Sequence, residues 1–278
     1  MSYELNEALE DGMVCPKVGD WSVDKYRLVG LYCSLFSTGM KNKWDKRIYI
    51  DLYAGPGHLQ IKNTGKIFQG SPLIALTVKD PFDKYIFCDD NPEKLSALEK
   101  RARRVAPEAD MVFVGGDCNS KVDEILSAIP SYSSTNRVLS LCFVDPYNLA
   151  IRFDTLRRIA DRYVDFLLLF MEMDANRNRA LYSEEESEQL DDFLDSHNWR
   201  EKWKREMLDG TKFPDFLAQE FSDRMSSIRY LPVPLHRMRR VKSQGKSLYR
   251  LALFSRSQTA HQFWDEVLKY SIDQSALF

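Results

Sequence analysis

The run Ile48-Tyr49-Ile50-Asp51-Leu52 has the length and composition of a short strand, and it passes straight into Tyr53-Ala54-Gly55-Pro56-Gly57. No other feature of the chain narrows its fold so far. Gly55 and Gly57 let the backbone turn tightly and approach a ligand closely, since neither carries a Cβ. Taken alone, a D-x-x-A-G-x-G string is also compatible with a tight turn that holds nothing. The segments downstream of it give it weight.

Strand-like and helix-like segments alternate from here on. A first helix is expected over Trp21 to Met40, where Val23, Tyr26, Val29, Tyr32 and Leu35 recur at helical spacing. The twenty residues before it read as a tail or a short arm. After the glycine loop, Leu59-Gln60-Ile61 and Lys66-Ile67-Phe68 flank Asn63-Thr64-Gly65, the pattern of a small hairpin. Gly70-Ser71-Pro72 supplies a cap and a first-turn proline, so the next helix should begin at Pro72. Strands are then expected at 85–88, 111–114, 138–144 and 165–171, with helices at 92–105, 119–129 and 153–162 between them. The segment from Asn176 to Ser227 breaks the rhythm and reads as a helical insertion. Ile228 to Val241 and Leu248 to Ser255 form two strands across the turn Ser243-Gln244-Gly245-Lys246.

This rhythm implies a parallel sheet covered on both faces. The expected fold is α/β: one Rossmann-like domain over 21–278, with a mainly parallel seven-stranded sheet and a C-terminal antiparallel hairpin. Five parallel strands and then a hairpin is the strand inventory of a Class I methyltransferase fold.

Sheets of this kind bind ligands beyond the carboxyl ends of their strands, and the strand ends here carry acids. Asp51 and Ala54 belong to the glycine loop itself. Strand two ends at Asp89, where a carboxylate can accept both ribose hydroxyls; strand three is followed by Gly116-Asp117-Cys118-Asn119, placed to read an adenine amine. Asp51, Ala54, Gly55, Gly57, Asp89 and Asp117 are therefore the candidate pocket for S-adenosylmethionine (SAM). Strand four ends Asp145-Pro146-Tyr147-Asn148. Methyl transfer to an exocyclic amine needs an acceptor for an N–H and a flat wall for the base, which an Asp and a Tyr supply. Asp145, Pro146 and Tyr147 are the candidate catalytic residues. The string resembles the D-P-P-Y of amino-methyltransferases with one proline missing, and the D-P-F-G of tRNA guanine N2-methyltransferases. A flipped or single-stranded base in DNA or RNA is the substrate this chemistry suggests.

The order of Tyr49 to Gly57, Gly70-Ser71-Pro72-Leu73-Ile74-Ala75-Leu76, Gly116-Asp117 and Asp145-Pro146-Tyr147 resembles the three-Cys-motif partner (TcmP) family. So do Met173-Asp174-Ala175-Asn176-Arg177-Asn178 and Leu248 to Ser255, and the likeness covers roughly Trp21 to Tyr270. The resemblance implies a methyltransferase-like chain and a protein partner with a three-cysteine motif, itself similar to radical-SAM proteins. It also implies an alternative to catalysis, a non-catalytic SAM-binding or scaffold subunit of that partner.

A net charge of −2 hides segregation. From Met225 to Arg256 there are eight basic residues and no acidic one, whereas Ser183 to Asp195 holds seven acidic residues and no basic one. Arg237, Arg239, Arg240 and Lys242 are candidates for phosphate contacts, or for pairing with that acidic block. Asn148, Asn176, Arg177, Arg237, Arg239 and Arg240 form the candidate substrate set. The five cysteines lie apart, with no C-x-x-C pair, and the four histidines are dispersed. Free thiols and no metal site are expected. No apolar run reaches the roughly 18 residues of a membrane span, and the acidic N-terminus lacks an apolar signal core; a cytoplasmic protein is the expectation.

Overall fold

The computed structural model describes residues 3–243 and 245–275. Met1 and Ser2 of the expected tail, Gln244 of the expected hairpin turn and residues 276–278 of the expected domain lie outside them. The chain opens with two short strands, β1 (Glu7–Ala8) and β2 (Lys17–Val18), and the helix α1 (Trp21–Met40). Next come β3 (Lys46–Asp51), the hairpin β4 (His58–Ile61) and β5 (Ile67–Gln69), α2 (Ser71–Leu76), β6 (Lys84–Asp89) and α3 (Pro92–Val105). The middle of the chain is β7 (Met111–Gly115), α4 (Val122–Ala128), β8 (Val138–Val144), α5 (Phe153–Ile159) and β9 (Val164–Phe170). A helical stretch succeeds β9: α6 (Glu172–Arg177), α7 (Arg179–Ser183), α8 (Gln189–Leu194), α9 (Trp199–Leu208) and α10 (Phe213–Ser227). A hairpin, β10 (Arg239–Ser243) and β11 (Lys246–Phe254), leads to α11 (Gln258–Ser275).

Seven strands form one sheet in the order β10-β11-β9-β8-β3-β6-β7. β3, β6, β7, β8 and β9 run parallel, and β11 is antiparallel to both β9 and β10. This is the Rossmann-like Class I methyltransferase arrangement. The order of strands reverses between β3 and β8, and that switch point is where such sheets open a crevice at their carboxyl edge.

Burial on both faces explains the sequences of the central strands. β8 (VLSLCFV) and β9 (VDFLLLF) are buried at every position. Alternate residues feed two apolar cores. Ile48, Ile50, Cys142 and Phe166 pack with α4, α5 and the insertion helices α8 to α10. Tyr49, Leu141, Phe143 and Leu167 pack with α1, α2, α3 and α11. Phe193, Phe213 and Phe221, with Trp199 and Trp203, tie the insertion into the first core.

Three expectations need correction. The first twenty residues are not all tail: β1 and β2 pair with β5 and β4, making the small hairpin a four-stranded sheet. The helix expected from Pro72 begins at Ser71 with Gly70 as its cap, and no side-chain hydrogen bond caps it. The long strand expected from Ile228 is confined to Arg239–Ser243. Pro232 and Pro234 remove two ladder donors from the preceding stretch, which ends in a 3-10 turn at Leu235–Arg237.

Candidate functional site

β3 delivers Asp51 to the switch point, fully buried, and the glycine loop begins there. Its carboxylate accepts from the Tyr49 hydroxyl at 3.2 Å and the Tyr53 N–H at 3.3 Å. Burial raises its pKa to about 7, with the neighbouring Asp145 pushing the same way and the Ser71 hydroxyl opposing both. The loop is fastened to its neighbours along its length. Ala54 N–H donates to the Cys88 carbonyl at 2.9 Å, Gly55 N–H to Asp89 Oδ2 at 2.8 Å, and Gly70 N–H to the Gly57 carbonyl at 2.7 Å.

The two loop glycines have different surroundings. Both have positive φ, +61° at Gly55 and +82° at Gly57. A Cβ on Gly55 would enter open space, whereas one on Gly57 would meet Leu98 and Leu73. Gly55 therefore has open space beside it and Gly57 faces the core. Ala54 is buried as well.

Asp89 receives the Gly55 N–H on one oxygen and the Asn91 N–H, at 2.9 Å, on the other. Each oxygen keeps a second lone pair. Asp117 is exposed after β7, and its Oδ1 accepts from the backbone and side chain of Asn119, each at 3.2 Å. The Asn119 amide bonds Ala150, Arg152 and Thr155 across the next loop. It holds two loops together.

Asp145 comes after β8, beside Asp51. Its side chain is 14% exposed, and Oδ2 lies 2.6 Å from Lys25 Nζ on α1. Lys25 is buried against the rings of Tyr26 and Trp21, with centroids 4.5 and 5.8 Å away. Burial alone would lower the pKa of this ammonium, but Asp145 and Tyr26 more than reverse that and raise it above its ordinary value. Pro146 is buried, Asn148 accepts from the Ala150 N–H at 3.1 Å, and the Tyr147 ring stands 95% exposed. The loop thus brings Asp145 to the crevice and turns Tyr147 out to solvent. Lys25 is a site residue that the motifs do not mark; a lysine between Trp21 and Tyr26 on an apolar helix is the available signal.

The substrate candidates divide. Asn176 and Arg240 line a cavity of about 300 Å³ at the carboxyl edge of β9 and β10, under the insertion helices. Arg177 is exposed, and Arg239 is partly buried on β10. Arg237 makes a bidentate pair with Asp265 at 2.7 and 2.8 Å. Arg240 bonds Glu172 Oε1 at 3.0 and 3.1 Å and also reaches Asp215, and Arg250 contacts the same two acids. Arg237 and Arg240 are therefore paired with Asp265, Glu172 and Asp215, which lie outside the acidic block 184–195. Acids of that block find Arg152, Arg157 and Arg200 instead. Glu172 and Asp215, central to this quartet, carry no motif that would single them out in the sequence.

All five cysteines are free, Cys33, Cys88, Cys118 and Cys142 buried and Cys15 partly so. No helix of the described residues is long and apolar enough to cross a membrane.

No protein-family model matches the chain, and no curated protein matches its sequence. Solved structures overlap it in shape. A Legionella pneumophila protein of the family model DUF519 is 10% identical, with a TM-score of 0.49 over 87% of this chain and 90% of the other. Trm1 from Pyrococcus horikoshii, solved with SAM, is 11% identical with a TM-score of 0.44, over 95% of this chain and 64% of the other. Magnesium protoporphyrin IX methyltransferase from Synechocystis, solved with S-adenosylhomocysteine, is 9% identical with a TM-score of 0.42, over 89% and 90%. The assignment of the fold rests on the strand order of the sheet.

Proposed function

We propose that this chain binds SAM in the crevice at the switch point and transfers its methyl group to an exocyclic nitrogen of a nucleobase in DNA or RNA. The observation that carries the reading is the convergence of Gly55, Asp89, Asp51 and Asp145 on one carboxyl edge, with open space beyond Gly55. The residues fit such a cofactor. Gly55 leaves room for a ligand close to the backbone, Asp89 keeps lone pairs for two ribose hydroxyls, and Asp117 is exposed and free to meet an adenine amine.

SAM supplies an electrophilic methyl group and leaves as S-adenosylhomocysteine. The chain's own residues hold the other reactant. Asp145 accepts an N–H of the amine, so the nitrogen keeps its lone pair aimed at the methyl carbon, and the displaced proton passes to the carboxylate and on to water. Lys25 holds Asp145 in place. Tyr147 offers a free aromatic face on which the base can stack.

A second reading is a non-catalytic, SAM-binding partner of a three-cysteine-motif protein. The 2.6 Å contact favours it, because Lys25 already occupies one oxygen of Asp145. The two readings separate on one experiment. Asp145→Ala would leave the buried Lys25 ammonium with neither counter-charge nor acceptor and cost stability, so the variant is Asp145→Asn, which keeps an acceptor, with Lys25→Met/Asp145→Asn as the control that removes the uncompensated charge. With tritiated SAM and bulk RNA or DNA, the parent should label nucleic acid. Both variants should bind SAM within a few-fold (about 1 kcal/mol or less) and lose transfer, because the lost contact matters in the transition state. Transfer at the parent's rate in both variants removes Asp145 from the chemistry. SAM binding with no transfer by the parent, alone or with a three-cysteine partner, leaves the scaffold reading.

A further inference from the structure

The seven-stranded sheet ends in β10 on one side and β7 on the other, and neither has a strand beyond it among the described residues. The two edges are built differently. β10 carries Arg239, Arg240 and Lys242, and its register shifts between Val241 and Lys242. Charges and bulges of that kind keep an edge from pairing with another chain. β7 is Met-Val-Phe-Val-Gly, with no charge and no proline, and its register with β6 is unbroken from Met111 to Gly115.

The ladder determines which backbone groups of β7 are free. Tyr85 N–H donates to the Asp110 carbonyl at 2.8 Å, and Gly116 N–H donates to the Asp89 carbonyl at 3.0 Å. With that phase, parallel pairing turns the N–H and C=O groups of Val112 and Val114 toward β6 and those of Met111, Phe113 and Gly115 outward. The outward set is symmetric about Phe113.

α3 adds side chains to the same edge. Leu95, Glu99 and Arg103 follow one another at four-residue spacing along one stripe of the helix. A Cβ on Gly115 would lie 3.7 Å from Leu95, whereas Arg103 lies over the Phe113 ring at 5.9 Å and donates to the Ala109 carbonyl at 3.2 Å. The stripe therefore runs antiparallel to β7 and places Glu99 between Leu95 at one end and Arg103 at the other. Glu99 and Arg103 are exposed and form no ion pair among the described residues.

We propose that β7 is a dimer interface, where two copies of this chain join their sheets edge to edge, antiparallel, about a two-fold axis at Phe113. In that register Phe113 faces its own counterpart and Met111 faces Gly115, so every outward N–H meets an outward carbonyl. The same rotation brings Glu99 of each copy beside Arg103 of the other, an opposite-charge pair on either side of the axis. Asp110 and Asp117 fall opposite Gly116 and Ala109, so no like charges are opposed. A register shifted by two residues loses the pairing at one end of the set and separates the charges. This self-complementarity selects a second copy over a strand of unrelated sequence. The inference does not depend on the methyltransferase reading.

Sedimentation velocity on the full chain, from micromolar to submillimolar concentration, tests it. The parent should pass from monomer to twice the monomer mass. Glu99→Arg changes one exposed side chain, sets arginines against each other across the axis and should weaken association by at least about ten-fold. Glu99→Arg/Arg103→Glu restores opposite charges and should bring association back to within a few-fold of the parent. Gly115→Pro removes an outward donor at a position without positive φ, where a Cβ makes ordinary contact; it should be monomeric. The charge pair of variants decides the question should the proline variant not fold. A parent that stays monomeric over the whole range overturns the proposal, as does a dimer as tight as the parent's in Glu99→Arg. Failure of the double variant to regain the dimer overturns the register.

Discussion

A Cβ added at Gly57 would meet Leu98 Cδ1 at 2.9 Å and Leu73 Cγ at 3.2 Å, on a backbone with φ of +82°. One added at Gly55 would meet nothing within 4 Å. The two glycines of one motif thus have different surroundings, packed core at Gly57 and open space at Gly55. Gly57→Val combines overpacking, worth about 1–3 kcal/mol, with a left-handed backbone, worth about 1–2 kcal/mol. We expect it to lower the unfolding midpoint by roughly 5–15 °C, whatever it does to a ligand. Gly55→Ala should cost only about 1–2 kcal/mol of backbone strain yet abolish SAM binding, because its methyl group enters the crevice. Thermal unfolding and calorimetry on both variants check this; a Gly55→Ala protein that binds as the parent does would place the cofactor elsewhere. The sequence marks both positions as glycine and cannot say which faces the core, since Leu73 and Leu98 lie 16 and 41 residues further on.

Among elements, the N-terminal segment has the largest gap between sequence and structure. β1 and β2 are two residues each, too short for any alternation to be read, and they exist because the hairpin β4–β5 has edges to pair. The hairpin itself is legible through Asn63-Thr64-Gly65. What fastens the segment is Arg101 of α3, a buried side chain on an otherwise charged helix. Its guanidinium donates to Asp11 at 2.5 and 2.7 Å, to the Val14 carbonyl at 2.9 Å and to the Pro56 carbonyl of the glycine loop at 2.7 Å. Bonding from Arg101 holds the Asp11 pKa down at about 2. A carboxyl whose folded pKa lies below its unfolded value stabilises above the unfolded value and loses that stabilisation as pH falls. The clasp should therefore be at full strength above about pH 4 and fade as pH drops toward 2. Asp11→Ala should cost about 2–3 kcal/mol at pH 7, the value of hydrogen bonds to a charged group, and quicken amide exchange in β1, β2 and β4. Urea unfolding at pH 7 and pH 3 should find the parent and variant closer together at the lower pH. A constant gap would mean that Asp11 acts by packing alone.

At the scale of the whole molecule, the alternation of strands and helices makes the sheet legible, because both of its faces are buried and the strands read as apolar runs. The pairing of charges is not legible: Lys25 and Asp145 are 120 residues apart, and Glu172 and Arg250 are 78 apart. The fold spends most of the basic tract on itself. Arg237 is held by Asp265, Arg240 and Arg250 by Glu172 and Asp215, and Arg256 by the carbonyls of Ala160 and Arg162. Of the eight cations between Met225 and Arg256, the exposed ones are Arg229, Lys242, Lys246 and Arg256, the last already bonded to those carbonyls. Each phosphate neutralised on a single strand contributes about −0.7 to the slope of log affinity against log salt. Eight free cations would give a slope of roughly −5 to −6. Arg229, Lys242 and Lys246, with Arg179 and Lys212 at the cavity, give about −2 to −3.5. Fluorescence anisotropy of a labelled single-stranded oligonucleotide, titrated from low to moderate salt, should return the shallower value. Asp265→Asn, which weakens the hold on Arg237, should steepen it by up to about 0.7. A parent slope near the steeper value would mean that the internal pairs open on binding. No affinity even at low salt would remove nucleic acid as the substrate and turn the search for a methyl acceptor toward small molecules or a protein partner.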